Sequence, residues 1–466
     1  MTGTTSADKE PIFDSAGNEY SYATSIPFNV GIQDNICVSP CSYVTMAQVS
    51  NQLTINGQTA TISSVEVTQA IQQYQTLADL KTSLQTTGEP PVPIISGKPA
   101  VMRIYFASVP SAQTVTVRVS GVTNDSKTVD LQPNCSEPDQ RSHAAPKNCP
   151  SIDFYFNPPP DAAGAWAVNL TLSDVNGNEV QRESLNFKSR DTNQLLIHPV
   201  SVCSASGEDC GRAPWLNETK VFLSKILPTN SVTVGSFTPL TMDRDSFITP
   251  PCIIDNQTVY WFYCWVDSTQ KTLGALYTHE DASIDSHLHR SSKYLGIYHA
   301  LTLDEQQGDG GDFDPAGNLR PSPSAIISDS LIAQVFRPAF ENVAYSAAHE
   351  IGHSLGLLHT STDQLTPYGG SPPGCWPYGS RQQGPVSHWP YPTNNIQSGS
   401  QFEYGWDWVT HRPIDPVLNN EFMAYCAYSW ISPIRYNEAI QALGGGSVPS
   451  VASASSGAKP RARTRS

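Results

Sequence analysis

The sequence predicts a multidomain chain in which an Ig-like β-sandwich precedes an α/β (α+β) domain. Three observations carry this reading. Residues 62–188 alternate apolar and polar positions in short runs separated by Gly/Pro clusters. From Leu195 onward the pattern changes to strand, helix, strand. Further on, one short apolar segment of helical character holds three histidines at ligand spacing.

Composition bounds the answer. At 466 residues the chain exceeds one ordinary core and points to two or three domains. Its 42 acidic against 27 basic residues leave a formal charge of −15. Nucleic acid and anionic membranes reward positive charge, so neither is expected as a main partner. No apolar run is long enough to span a bilayer. Ten cysteines, none in a C-x-x-C pair, read as a disulfide framework formed in an oxidising compartment. Near neighbours are the simplest pairing, and Cys375 with Cys426 would tie the chain beyond the histidines to a later turn. Scattered buried thiols are the alternative. A secreted, extracellular protein is expected, although residues 1–17 show neither the basic nor the apolar region of a signal peptide.

Taken in order, residues 1–59 are polar and punctuated, a pro-segment or a strand contribution to the next domain. Asn35 to Cys41 reads as a small turn closed by Cys37 and Cys41. Residues 60–192 form the sandwich. Its strands run through Val65-Val67, Val101-Ile104-Phe106, Val115-Val117-Val119, Trp166-Val168-Leu170-Leu172 and Leu185-Phe187. Turn clusters such as Gly88-Glu89-Pro90-Pro91 divide them. Residues 193–443 form the second domain. Leu195–Val200 is a buried strand, Val221–Leu227 a helix ended by Pro228, and Ser231–Val234 the next strand. Tyr260–Tyr263 and Lys293–Thr302 read as further strands. Gly308 to Asp314 is an acidic, glycine-rich loop whose oxygens suit Ca²⁺, or simply a solvated loop. Residues 444–466 are low-complexity and expected to be disordered.

The chemistry concentrates in Tyr345 to Thr360, YSAAHEIGHSLGLLHT, spaced H-E-x-x-H-x-x-G-x-x-H. On a helix His349 and His353 project from one face about a turn apart, so one metal ion accepts a nitrogen from each. Gly356 allows a sharp exit from the helix, which brings His359 round as a third ligand. Glu350, beside the first ligand, is placed to act as a general base. Three protein nitrogens and an open position are the arrangement of a catalytic Zn²⁺. The competing reading is a buried helix with incidental histidines. It leaves several buried polar groups in need of other partners.

This eleven-residue motif resembles the zinc signature of the metzincin metallopeptidases, in particular poorly characterised secreted bacterial metzincin-like proteins. The resemblance is strong over residues 344–437. Glu421 to Cys426 is similar to the family's methionine turn, which implies Met423 as an apolar floor under the metal. The resemblance further implies a role for Tyr425 in binding zinc or stabilising the oxyanion, with a packed aromatic as the alternative. It makes Lys293–Thr302 the edge strand that lines the cleft. The connection from His359 to Met423 is long for the family and must hold an insertion. The implied activity is a zinc-dependent endopeptidase acting on protein, peptide or glycoprotein substrates. The alternatives are a glycan- or protein-binding surface protein with a degenerate zinc domain, and a zinc-dependent amidase.

Overall fold

The structure is a computed structural model. It describes residues 12–13, 19–20, 60–142, 149, 151–204, 206–207, 209–241, 252–254, 257–259, 272–273, 291–299, 308–309, 312–313, 319–329, 343–360, 389, 396, 403–424 and 429–446. The chain divides into two compact units, Met1–Gly57 and Gln58–Ser466. Of the first, the described part is an antiparallel pair, β1 (Ile12–Phe13) and β2 (Glu19–Tyr20).

The second unit opens with an antiparallel two-sheet sandwich. Its elements are β3 (Ile62–Thr68), α1 (Leu77–Thr87), β4 (Ile94–Ile95), β5 (Ala100–Phe106), β6 (Gln113–Gly121), β7 (Asp125–Leu131), α2 (Glu137–Ser142), β8 (Ile152–Phe156), β9 (Trp166–Ser173), β10 (Glu179–Phe187) and β11 (Ser189–Arg190). One sheet runs β3-β5-β8 and the other β10-β9-β6-β7. In β6 and β9 every second side chain is buried, Val115, Val117 and Val119 against Val168, Leu170 and Leu172. These residues meet Val65, Val67, Met102 and Ile104 of the facing sheet in one core, as a half-buried pleat requires. A disulfide joins Cys135 to Cys149, and another joins Cys203 to Cys210.

Two features of this half depart from simple alternation. Leu77, Leu80 and Leu84 share one buried face of α1, a helix within the stretch read as strands alone. Thr76 caps it by accepting from the Asp79 amide, and Gly88, at φ 79°, ends it. In β5 both faces are buried, because the outer one lies against the second half of the unit. There Arg103, fully buried, stacks its guanidinium 4.6 Å from the Trp406 ring centre. The Ala70 carbonyl accepts from the Trp406 amide at 2.7 Å and from Trp430 Nε1 at 2.8 Å.

The second half is built on a mostly parallel sheet. Its elements are β12 (Leu195–Cys203), α3 (Leu216–Ile226), β13 (Val232–Val234), β14 (Thr238–Thr241), the pair β15 (Cys252–Ile254) and β16 (Gln257–Val259), β17 (Ser292–Tyr298), β18 (Gly308–Asp309), the pair formed by β19 (Asp312–Phe313) and β20 (Leu319–Arg320), and β21 (Ser324–Ser328). The strand order is β13-β12-β17-β21-β18, with β14 also on β12. All pairs are parallel except β18 with β21. Next in the chain come α4 (Val343–Ser354), the hairpin β22 (Gly405–Asp407) and β23 (Arg412–Ile414), the parallel pair β24 (Asn420–Glu421) and β25 (Ser429–Trp430), and α5 (Pro433–Ala442).

Lys293–Thr302, expected at the sheet edge, is not an edge strand. Its described part, β17, is a central strand between β12 and β21 and is buried along nearly its whole length. A near-continuous apolar run such as Tyr294-Leu295-Gly296-Ile297-Tyr298 suits a strand covered on both faces. The edge next to β21 is β18, which falls in the loop read as acidic and glycine-rich. Residues 260–263, also expected as a strand, lie outside the described residues. At the other end, Gly444 (φ 83°) closes α5, and Arg190 Nη1 donates to the Gly445 carbonyl at 3.1 Å. No described helix is long and apolar enough to cross a membrane.

Candidate metal centre

The centre is built on α4. Val343, Ala344, Ala347, Ala348 and Ile351 face the core, and α4 packs against α3, β17, β18 and β21. The same helical period that buries these residues sets His349 and His353 one turn apart. Both are buried, and His359 is half-buried.

Past Ser354 the helix ends in a two-bond glycine turn. The Gly356 amide donates to the His353 carbonyl at 2.7 Å, and the Leu357 amide to the Gly352 carbonyl at 3.0 Å. Gly356 takes φ 86°, which a side-chain-bearing residue adopts at a cost. The turn does two things. It reverses the chain so that His359 returns to the helix face, and it lays the Leu357 carbonyl against His353.

The three Nε2 atoms converge. His349 and His353 stand 3.0 Å apart, His349 and His359 3.0 Å, and His353 and His359 2.8 Å. Two rings are fixed from behind. His349 Nδ1 lies 2.9 Å from the Phe422 carbonyl, and His353 Nδ1 lies 2.9 Å from the Leu357 carbonyl. A carbonyl only accepts, so Nδ1 carries the proton in each ring and Nε2 presents its lone pair. Lone pairs facing one another at such distances repel unless a proton or a cation lies between them. A proton is disfavoured, because burial lowers His349 to about 4 and holds His353 and His359 well below the usual imidazole range. Three neutral nitrogens, two of them on back-locked rings, therefore fit a metal ion. Among the described residues they form the group of such side chains close enough to hold one.

Met423 is fully buried beside the helix. Gly352 makes the approach close, since a side chain there would collide with Met423 Sδ and the Phe422 ring. The Thr360 amide lies 3.4 Å from the Met423 carbonyl. Thus the segment expected as the floor supplies contact with the helix, a carbonyl for His349 and an anchor for the residue after His359. Glu350 is 8% exposed and sits next to His349 on α4. Tyr425 and the cysteines Cys375 and Cys426 lie outside the described residues, as do Gly310, Gly311 and Asp314 of the loop proposed for Ca²⁺ and the side chains of its described part. His411, between the motif and Met423, stacks on Tyr155, with ring centres 4.3 Å apart.

Sequence reasoning missed the partners behind the rings. Two are backbone carbonyls, which every residue carries, so no residue type could signal them. A third, Arg435 of α5, donates through Nη2 to the His359 carbonyl at 3.2 Å. Glu421, fully buried, accepts from the Ser432 amide at 2.6 Å and links the floor segment to the start of α5. Burial raises its carboxyl to about 7, against the lowering pull of Ser432 and Arg435.

No protein-family model matches the sequence, and no curated protein matches it. Among solved structures, one likeness is to the CARDB domain of a Pyrococcus furiosus protein in complex with di-metal ions. It has 16% identity and a TM-score of 0.15, and covers 28% of this chain and 89% of that one. Another is to a Niemann-Pick type C2 protein from the Japanese carpenter ant, with 14% identity, a TM-score of 0.15, and 28% and 92% coverage. At such scores neither likeness carries an argument about this chain.

Proposed function

We propose that the protein is an extracellular zinc-dependent endopeptidase of metzincin type, carrying an Ig-like sandwich. The observation that supports this most is the convergence of three Nε2 atoms, two of them on rings locked by backbone carbonyls. His349, His353 and His359 would hold the ion. Nitrogen donors in a set of three suit zinc among common metals, and Met423, tight under Gly352, fits the apolar floor of that family.

When bound, zinc supplies Lewis acidity, which polarises a peptide carbonyl and acidifies water. The chain's own residues do the rest. Phe422 and Leu357 hold the two helix imidazoles in the tautomer that leaves Nε2 free. The carboxylate of Glu350 takes the proton of the attacking water and passes it to the departing amine nitrogen. The Tyr425 hydroxyl is assigned to the developing oxyanion. The closed Cys135–Cys149 and Cys203–Cys210 bridges support an oxidising, extracellular setting.

Metal analysis and casein cleavage, wild type beside Glu350→Ala, test this. About one zinc per chain in both proteins is expected, with cleavage reduced at least about 10²-fold in the variant. Zinc retained without hydrolysis of casein or a diverse peptide library argues for a binding protein or an amidase. Absence of zinc in replete conditions overturns the centre itself.

A further inference from the structure

His349 and His353 are placed by a helix, whereas His359 sits at the far end of a loop. A loop ligand needs its ends held, because each unfixed residue spreads the nitrogen over more positions. Both ends of this loop meet a buried basic side chain.

At the start, Ser354 ends α4, and its carbonyl accepts from Lys293 Nζ at 2.7 Å and from the Ser322 amide at 3.0 Å. Lys293 also donates to the Ser322 carbonyl at 2.7 Å. It stands on central strand β17 and is 2% exposed. Among the described residues no carboxylate lies within ion-pair distance of it. A buried ammonium without a counter-ion is costly, and burial brings the Lys293 amine down to about 7. One donor goes to the Ser354 carbonyl, at the negative end of the α4 dipole, and another to the Ser322 carbonyl. At the loop's other end, Arg435 Nη2 holds the His359 carbonyl. Arg435 is fully buried on α5 and ion-paired to Glu438. The two basic side chains come from elements far apart in sequence and grip the carbonyl just before one short loop and the carbonyl at its end.

We propose that Lys293 and Arg435 are positioning residues that set the third ligand, so that the centre binds metal with three nitrogens instead of two. This rests on the reading of the triad as a metal centre. The full chain is compared as wild type, Lys293→Met, Arg435→Met, Arg435→Lys and His359→Ala, and with Arg435→Met and His359→Ala combined. Zn²⁺ affinity is measured by chelator competition, and the visible spectrum of the Co²⁺-loaded protein reports ligand number.

Both methionine variants should bind Zn²⁺ about 10–100-fold more weakly, with cobalt spectra shifted toward that of His359→Ala. Arg435→Lys should recover much of the loss, since it keeps a donor. In the His359→Ala background, Arg435→Met should cost no further affinity, the non-additivity expected of a residue acting through another. Wild-type affinity and spectrum in folded Lys293→Met and Arg435→Met, or additive losses in the combined variant, overturn the proposal. If Lys293→Met does not fold, the Arg435 cycle decides alone. His359→Ala binding metal as tightly as wild type would instead overturn the metal-centre reading.

Discussion

The sandwich and the half that carries the histidine triad bury similar side chains by different means. In the sandwich, neighbouring strands do the work. Val117 and Leu170 are buried because alternation turns them inward on the paired strands β6 and β9. In the half with the histidine triad, distant polar groups do it. The Phe422 carbonyl orients His349, Arg435 grips His359, and Lys293 holds Ser354. The difference teaches that the first half should tolerate polar change and resent cavities. The second should resent the loss of single hydrogen bonds or of single glycines.

Four variants sharpen or break that contrast. The largest effect is expected from Leu170→Ala, which leaves a cavity in the fully buried sandwich core. It should remove about 2–5 kcal/mol by denaturant unfolding, while the folded fraction keeps its metal affinity. A marked loss of affinity would mean that the sandwich shapes the centre directly. Next, replacing Cys135 and Cys149 by serine opens a loop of sequence separation 14 and should cost about 3 kcal/mol. Again the metal centre should be untouched. Gly352→Ala pushes a methyl into Met423 and Phe422. About 1–3 kcal/mol of stability should be lost, and here metal affinity should fall with it, because Phe422 also orients His349. Retained affinity would show that the floor is padding alone.

The smallest effect concerns Glu421. Its folded carboxyl is raised from 4.5 to about 7, chiefly by burial. A raised acid binds more protons folded than unfolded, so its stabilising contribution is full below about pH 4.5 and is lost as pH climbs through 7. Glu421→Gln should therefore flatten the melting temperature across that window. An unchanged profile would assign the pH response to other groups.

Much of this was legible from residue order, and the failures have physical causes. Alternation located β6, β9 and β10, because each has one face inward. It overlooked α1, whose leucines at 77, 80 and 84 are spread through a polar stretch that only a 3.6-residue period connects. The family resemblance placed Lys293–Thr302 at an edge, whereas burial on both faces marks β17 as central. Arg103 and Tyr105 are fully buried on β5, and Trp406, some three hundred residues later in the chain, stacks on Arg103, a contact that residue order does not show. The histidine spacing was legible because a ligand set needs particular side chains at particular intervals. Its supports were not, because backbone carbonyls leave no mark in residue type.

The Ala70 carbonyl, shared by Trp406 and Trp430, has a consequence for how the molecule melts. It lies in the segment between a sandwich strand and α1, and both of its donors come from the chain around the centre's floor. Neither core can come apart without disturbing the other, so calorimetry should record a single endotherm for the second unit. Its midpoint should climb with the concentration of any ion the triad takes up, by mass action. The sandwich then becomes a thermometer for the centre: a probe of its β-signal alone reads out metal occupancy on the far side of the fold.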